Sequence, residues 1–345
     1  MPEGSRGHEA ESVAAAPPSL RTTSRWQKIL SGLIIGYAAL IVALCAWMYL
    51  RGDVGAFATI LLFGPRWLCG LPLPVLTLAA VVWRRRMLWV LAIAAVVLVF
   101  PLMGFEAHWP APADAPASFR LLTYNVDRRA ADIAGLARMI GETKPDLVVL
   151  QEGDWTADYQ WPKSWHAIVQ DEFIVASPWP LVKQQFLPHP AALSTKVVVR
   201  FQVQTPNRTV QLFNIHLRTP RRGLEAILSR QADGADELQS VLEERAVESR
   251  TTSNWIAGFE GSKLIAGDFN MPVESVIFRR DWTWLENSFS DTGWGFGFTK
   301  ISDVGRFSYR TRIDHVLYDA DWQCVRSWVG EDLGSDHLPL FADFR

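Results

Sequence analysis

Six short segments of this 345-residue chain end an apolar run on residues that can do chemistry. "TYNVD" brings Asn125 and Asp127, and "VVLQEGD" brings Glu152. "FNIHL" carries Asn214 and His216, and "GDFNMP" carries Asp268 and Asn270. "RIDHVLY" carries Asp314, and "GSDHLPL" carries Asp336 and His337. Side chains alternate along a strand, so Asp268 and Asn270 share one face while Phe269 points the other way, into packing. The same period pairs Asn125 with Asp127 and Asn214 with His216.

Glu152, Asp127, Asp268 and Asp336 are hard oxygen donors, suited to Mg²⁺ or Mn²⁺. Zinc fits poorly, because neither a Cys cluster nor a His-rich spacing accompanies them. His337 has the chemistry to activate water or stabilise an oxyanion, with a carboxylate to fix its tautomer. Asn125 and Asn270 can donate to phosphate oxygens without adding charge, and Asn214 is a third amide candidate for substrate. Arg218, Arg221 and Arg222 follow His216 directly. They are either a solvated basic loop or a clamp on an anionic headgroup, with Arg218 nearest the motif. Metal, base, orienter and neutral donors together describe in-line attack of water on phosphorus in one shared cleft.

The elements that would present these residues are short strands mixed with few helices. The strands are "FRLLTYNV", "DLVVLQE", "FIVASPWPL", "KVVVRFQV", "TVQLFNIHL", "KLIAGDF", "RIDHVLY" and "HLPLFADF". Ala131 to Thr143 is amphipathic and ends before Pro145, and Leu224 to about Val247 is helical in composition with a possible break at Gly234. This mixture predicts an α/β sandwich in one domain over 119–345. His315 should face away from Asp314 as a satisfied core histidine.

Residues 1–105 are different in kind. They hold 9 Lys/Arg against 4 Asp/Glu, a net of +5, whereas residues 106–345 hold 25 against 32, a net of −7. Ile29–Leu50 and Met87–Phe105 are uncharged, and Trp67–Val82 is apolar with Pro72 and Pro74. At about 1.5 Å per residue, runs of this length span a hydrocarbon core. The pattern predicts three transmembrane helices within 29–105, a disordered cytoplasmic stretch over 1–28, and a stiff Pro/Ala linker over 106–118. Arg21, Arg25 and Lys28 precede the first helix, and Arg84, Arg85 and Arg86 follow the second. Positive flanks stay in the cytoplasm, which places the C-terminal domain outside it. Cys324 is the only cysteine after residue 105, so that domain forms no internal disulfide.

The six segments, in this order and approximate spacing, resemble the endonuclease/exonuclease/phosphatase superfamily over about Phe119 to Arg345. The resemblance implies a four-layer α/β sandwich, two facing mixed sheets with outer helices, here preceded by the all-α transmembrane region. It implies Glu152 as the main metal ligand, with Asp127 and Asp336 nearby, and Asn125 and Asn270 on the phosphate. Asp268 would position or deprotonate the water, and His337, oriented by Asp314, would act as base or stabilise the transition state. His216 resembles the family's second histidine, directed at the leaving group, but the sequence shows no carboxylate partner for it.

Three functions follow as expectations. The first is a multi-pass, membrane-anchored Mg²⁺- or Mn²⁺-dependent phosphoesterase acting on a lipid-linked phosphate or phospholipid headgroup. The second is an anchored nuclease, disfavoured by a domain at −7 that offers no general field for a polyanion. The third is an idle interaction module, disfavoured because the catalytic set is complete.

Overall fold

The N-terminal region starts with a 27-residue helix, Arg25–Arg51, capped by a Ser24–Gln27 capping box. This computed structural model describes residues 24–109, 117, 119–128, 131–153, 159–189, 192–229, 233–304 and 307–345. Of the expected disordered stretch 1–28, residues 1–23 lie outside them and 25–28 are instead the first turn of the helix Arg25–Arg51; most of the expected linker also lies outside them. Three helical segments, Arg25–Arg51, Arg66–Trp83 and Arg85–Leu102, are long and apolar enough to cross a membrane. Their basic ends lie together: Gln27 donates to the Trp83 carbonyl and Arg84 to Ser31 Oγ.

A short helix, Ala56–Phe63, precedes the second of these segments. Gly64 and Pro65 end it, so "GPRW" is a corner rather than the interior of a span. Arg66 therefore lies at the start of the second segment, not in its interior. Its guanidinium donates to the Leu62 and Leu102 carbonyls and sits 3.2 Å from Glu274.

The rest of the chain forms two six-stranded sheets. One runs, edge to edge, Glu286–Asn287, Asp314–Tyr318, Lys263–Asp268, Thr209–His216, Ala192–Gln204 and Leu181–His189. The other runs Cys324–Val329, Leu340–Phe344, Phe119–Asn125, Leu147–Gln151, Phe173–Ser177 and His166–Gln170. Each sheet has one parallel pair at its centre, Thr209–His216 with Lys263–Asp268 and Phe119–Asn125 with Leu147–Gln151. All other pairings are antiparallel.

The inner faces pack on each other: Leu121, Val149 and Val175 of one sheet share a core with Phe201, Leu212 and Leu264 of the other. The helix Ile133–Thr143, capped by Asp132, covers the outside of one sheet. The opposite outer face holds Phe213, Ile215 and Ile265, which share a core with Ile256 of the helix Gly234–Ala257 and with Leu62 and Phe63. The expected sandwich is thus present.

Three boundaries differ from the sequence pattern. "FIVASPWPL" divides at its prolines into Phe173–Ser177 and the start of Leu181–His189. The helical stretch from Leu224 is two helices, Arg221–Leu228 and Gly234–Ala257. Gly234 opens the second, where a Cβ would lie 2.8 Å from the Ala226 carbonyl oxygen. Glu106–Ala107, at the head of the expected linker, instead pairs with Trp294–Gly295.

Candidate active site

Register brings the motif-bearing strand ends to one edge. His216 is opposite Asp268, and Asp268 is opposite Asp314, so three strands deliver these residues in a row. In the facing sheet Asn125 is opposite Gln151, the residue before Glu152. His337 is bridged to Lys300 just before the last strand.

Asp268 is at the centre. It is buried, and its Oδ2 accepts from Asn125 Nδ2 at 3.2 Å and Asn270 Nδ2 at 3.1 Å. The same oxygen is 3.5 Å from His337 Nε2 and 3.8 Å from His216 Nε2. Burial raises its carboxyl above the usual range, His337 and His216 oppose that rise, and Asp314 reinforces it. Gly267 makes this strand end possible. Its φ is +143°, and a Cβ there would fall 2.0 Å from the Ile215 carbonyl oxygen of the parallel neighbour. Phe269 points the other way, as the alternation required, with its ring 4.9 Å from Trp282.

His337 Nδ1 is 2.8 Å from Asp314 Oδ2, which leaves Nε2 toward Asp268. Burial depresses the His337 pKa, but the Asp314 and Asp268 carboxylates outweigh it and the net shift is upward. Asp314 is itself held by the Thr299 hydroxyl, and its Oδ1 is buried without a hydrogen-bond donor among the described residues. His216 Nδ1 is 2.9 Å from Glu172 Oε1, and Nε2 is 3.7 Å from Glu152 Oε1. Burial lowers the His216 pKa, yet Glu172, Asp268 and Glu152 together push it up to about 9. Glu172 is the carboxylate that the sequence did not reveal. It stands 44 positions away, next to a strand, with no pattern to single it out.

Glu152 Oε1 also accepts from Asn125 Nδ2 at 3.1 Å. Glu152, Asp127 and Asn270 have φ of +54°, +43° and +50°, the left-handed region that non-glycine residues seldom adopt. Such turns at strand ends re-aim side chains toward the cleft. Asp127 is half-buried, with its amide donating to Asn125 Oδ1. Asp336 is paired with Lys300 and with Arg221 at 3.4 Å, and lies 3.7 Å from His337 Nε2. Burial would raise its carboxyl, but Lys300, His337 and Arg221 hold it below the usual range.

Two expected substrate contacts lie elsewhere. Asn214 is buried between the sheets, where it donates to the Leu150 and Ile174 carbonyls and accepts from Gln151 at 2.7 Å. Its amide ties the sheets together, so the expectation of a substrate contact is corrected. Arg218 bonds His189 Nε2 and pairs with Glu244 at 3.2 Å, and Arg222 pairs with Glu237. Of the three arginines in the expected clamp, Arg221 is the one that lines the cleft with Asn270, Lys300 and Asp336.

Arg245 is a further residue that sequence reasoning missed. It is buried, and it donates to the carbonyls of Arg218 and Asn270 at 2.9 and 2.6 Å. It thus holds the two loops that leave the "NIHL" and "GDFN" strands. His315 is the core histidine expected: buried, bonded to Asn287 and the Met271 carbonyl, and lowered by burial to about 4.

The sequence profile of the endonuclease/exonuclease/phosphatase family matches residues 122–337, a segment that contains every candidate site residue named from the sequence. The chain belongs to that family. Its members are metal-dependent phosphoesterases and nucleases, and this protein is a hydrolase of that kind. The search among curated proteins found no match. The chain is also similar, at low identity, to solved structures. A family member from Leptotrichia buccalis is 13% identical, covering 66% of this chain and 100% of its own, with a TM-score of 0.47. A 3′ phosphatase from Neisseria bound to a product DNA hairpin is 18% identical over the same 66% and 100%, also at 0.47. An AP endonuclease from Archaeoglobus fulgidus is 14% identical, covering 66% and 99%, at 0.46.

Members of the family use divalent metals, and the donor set here fits one. Asp268, Asp314 and His337 each offer a ligand atom within 4.8 Å of the others, and Asp314 has an oxygen without a donor.

Proposed function

We propose that this protein is a membrane-anchored phosphoesterase that uses Mg²⁺ or Mn²⁺ to hydrolyse a lipid-linked phosphate or phospholipid headgroup at the outer membrane face. One observation carries the reading: the catalytic loops are fastened directly to the ends of the apolar helices. Five residues after Asn270, Ser275 Oγ donates to Asp53 Oδ2 at 2.5 Å, and the amides of Val276 and Ile277 donate to Asp53 Oδ1. Glu274 is paired with Arg66, and Phe63 lines the same cleft as Asn270 and Asp336. A cleft held this close to apolar helix ends suits a substrate confined to a bilayer. Exposed Trp26, Trp83 and Trp89, and Trp67 and Trp109, are residues of the type enriched at membrane interfaces, which supports this reading. The basic flanks at Arg25, Lys28, Arg84, Arg85 and Arg86 support the extracytoplasmic orientation.

Glu152 is the proposed principal metal ligand, with Asp127 and Asp336 as the further carboxylate donors, and a cation held there would neutralise and polarise the phosphate oxygens. Asn125 and Asn270 orient the phosphate by their amide donors. Asp268, whose burial raises its proton affinity, accepts the proton of the attacking water. His337, its Nδ1 proton held by Asp314, would donate a hydrogen bond from Nε2 to the phosphoryl oxygen as charge develops. His216, held by Glu172, donates to the leaving oxygen.

The test compares the purified full chain on a long-chain lipid phosphate and on DNA, at matched metal and salt. Lipid turnover that vanishes with chelator and returns with Mg²⁺ or Mn²⁺ is the expected result. Cleavage of DNA with no lipid turnover would replace this reading with the nuclease.

A further inference from the structure

An apolar groove of about 280 Å³ opens beside the cleft. One wall comes from the membrane-proximal region, with Ile60, Phe63, Trp67 and Leu68, and the other from Leu224 and Leu228 of the helix Arg221–Leu228, with Tyr309 as floor. Phe63, Leu224, Leu228 and Tyr309 also line the polar cleft of about 350 Å³ that holds Asn270, Lys300 and Asp336. The two cavities are therefore one channel, polar at the catalytic end and apolar toward a segment able to span a membrane.

The helix Arg221–Leu228 has the same division along its length. Gly223 and Ala226 are buried; at Gly223 a Cβ would lie 2.7 Å from Leu238 of the long helix beside it. Arg221, Leu224 and Leu228 fall at i, i+3 and i+7, which is one stripe of a helix. Its first residue pairs with Asp336 at the cleft, and its last, Leu228, is 58% exposed, an apolar side chain without a full packing partner. Leu68 and Ile60 across the groove are also exposed, at 47% and 38%.

We propose that this groove is the binding site for one hydrocarbon chain of the substrate lipid, which enters sideways from the bilayer while its phosphate reaches Asn270 and the metal cluster. The proposal rests on the lipid-phosphate reading and adds where the chain sits and what selects it. A chain leaving the phosphate along the Arg221–Leu228 stripe passes from the Arg221 cation, with Glu225 beside it in the polar cleft, to the apolar wall of Leu224 and Leu228. Selectivity should then depend on chain length, because each methylene removed from water adds binding until the groove is full.

The probes are n-alkyl p-nitrophenyl phosphates from butyl to dodecyl, presented to the full chain in nanodiscs with Mg²⁺. Expected is a kcat/KM that climbs by up to about fourfold per methylene taken into the groove and then levels off. Ile60→Trp and Leu228→Trp fill the groove from opposite walls, and each should lower the dodecyl-to-butyl ratio at least several-fold. A dodecyl phosphate bearing a terminal diazirine should label Ile60, Leu68 or Leu228 of the unmodified chain, a measurement independent of whether the variants fold. A series that is flat in wild type, or labelling confined to other surfaces, overturns the tail site while turnover of the butyl ester leaves the phosphoesterase reading intact. Variants that keep the wild-type ratio but change oligomeric state would show the groove to be an interface between copies and overturn the proposal. Failure on all of these esters together with DNA cleavage would remove the lipid reading itself.

Discussion

Two imidazoles, those of His216 and His337, reach the same carboxylate oxygen of Asp268, and each is held from behind by its own acid, Glu172 or Asp314. Chemistry at this cluster depends on a few tenths of an ångström, so conservative changes should be severe. Asp268→Asn and His337→Ala are each expected to lower kcat by about 10²–10⁴-fold while the unfolding temperature stays near wild type. Glu172→Gln should lower the pKa of His216, since it removes the largest of the terms that raise it. The check is a titration of the His216 resonance together with kcat, which should fall more than KM changes. His315 makes a separate expectation about stability. Its pKa is about 4 in the fold against 6.5 when unfolded, so the unfolded chain binds the extra proton between those values. Its contribution is complete above pH 6.5 and is lost as pH falls toward 4, by up to about 1.4 kcal/mol per unit. His315→Gln should flatten the loss of thermal stability between pH 6.5 and 4, measured by unfolding in detergent.

At the scale of elements, the decisive contact is between the first apolar helix and the segment after "GDFN". Asp53 follows the helix Arg25–Arg51 and caps the helix Val276–Asp281, whose own Ser275 caps Phe278. Asp53 is also 3.9 Å from Arg245, which supports the Asn270 carbonyl. A side chain just after the first apolar helix thus takes part in holding the loop that carries Asn270. Asp53→Ala removes acceptors from buried donors and is expected to cost about 1–2 kcal/mol, seen as a lower unfolding temperature and faster hydrogen exchange at Val276 and Ile277. Arg245→Met should leave the helices in place and lower kcat through misplaced loops, an effect readable as lost turnover with metal affinity retained.

For the whole molecule, the balance of charge is divided by location. Residues 1–105 carry +5 and the remainder −7, and the ends of the apolar helices at Gln27 and Trp83–Arg84 lie together. A periplasm-active reporter fused after Arg345 should be active and a cytoplasm-active one silent; the reverse result would invert the orientation. The junction is built from buried ion pairs as well as apolar contacts, so cutting the helices from the catalytic domain should expose Glu274, Ser275 and Ile277, which Arg66 and Asp53 cover. The isolated 119–345 fragment is expected to aggregate or to unfold at lower temperature than the full chain, as light scattering and calorimetry would show.

The motifs, the apolar runs and the alternation that buries Phe269 and His315 were all legible in the sequence, because each depends on residues close together in the chain. Period two places Asn125, Asp268 and Asp314 at strand ends, and length alone marks the three helices. The sandwich follows from the same short strands. What the order of residues does not carry is which distant partner each polar atom meets. Glu172 meets His216 across 44 residues, Asp53 meets Ser275 across 222, and Asn214 faces another strand instead of the cleft. Those pairings depend on register between strands and on the packing of helices against a sheet. A buried charge or amide must find a partner wherever the assembled fold supplies one, so only the tertiary structure decided them.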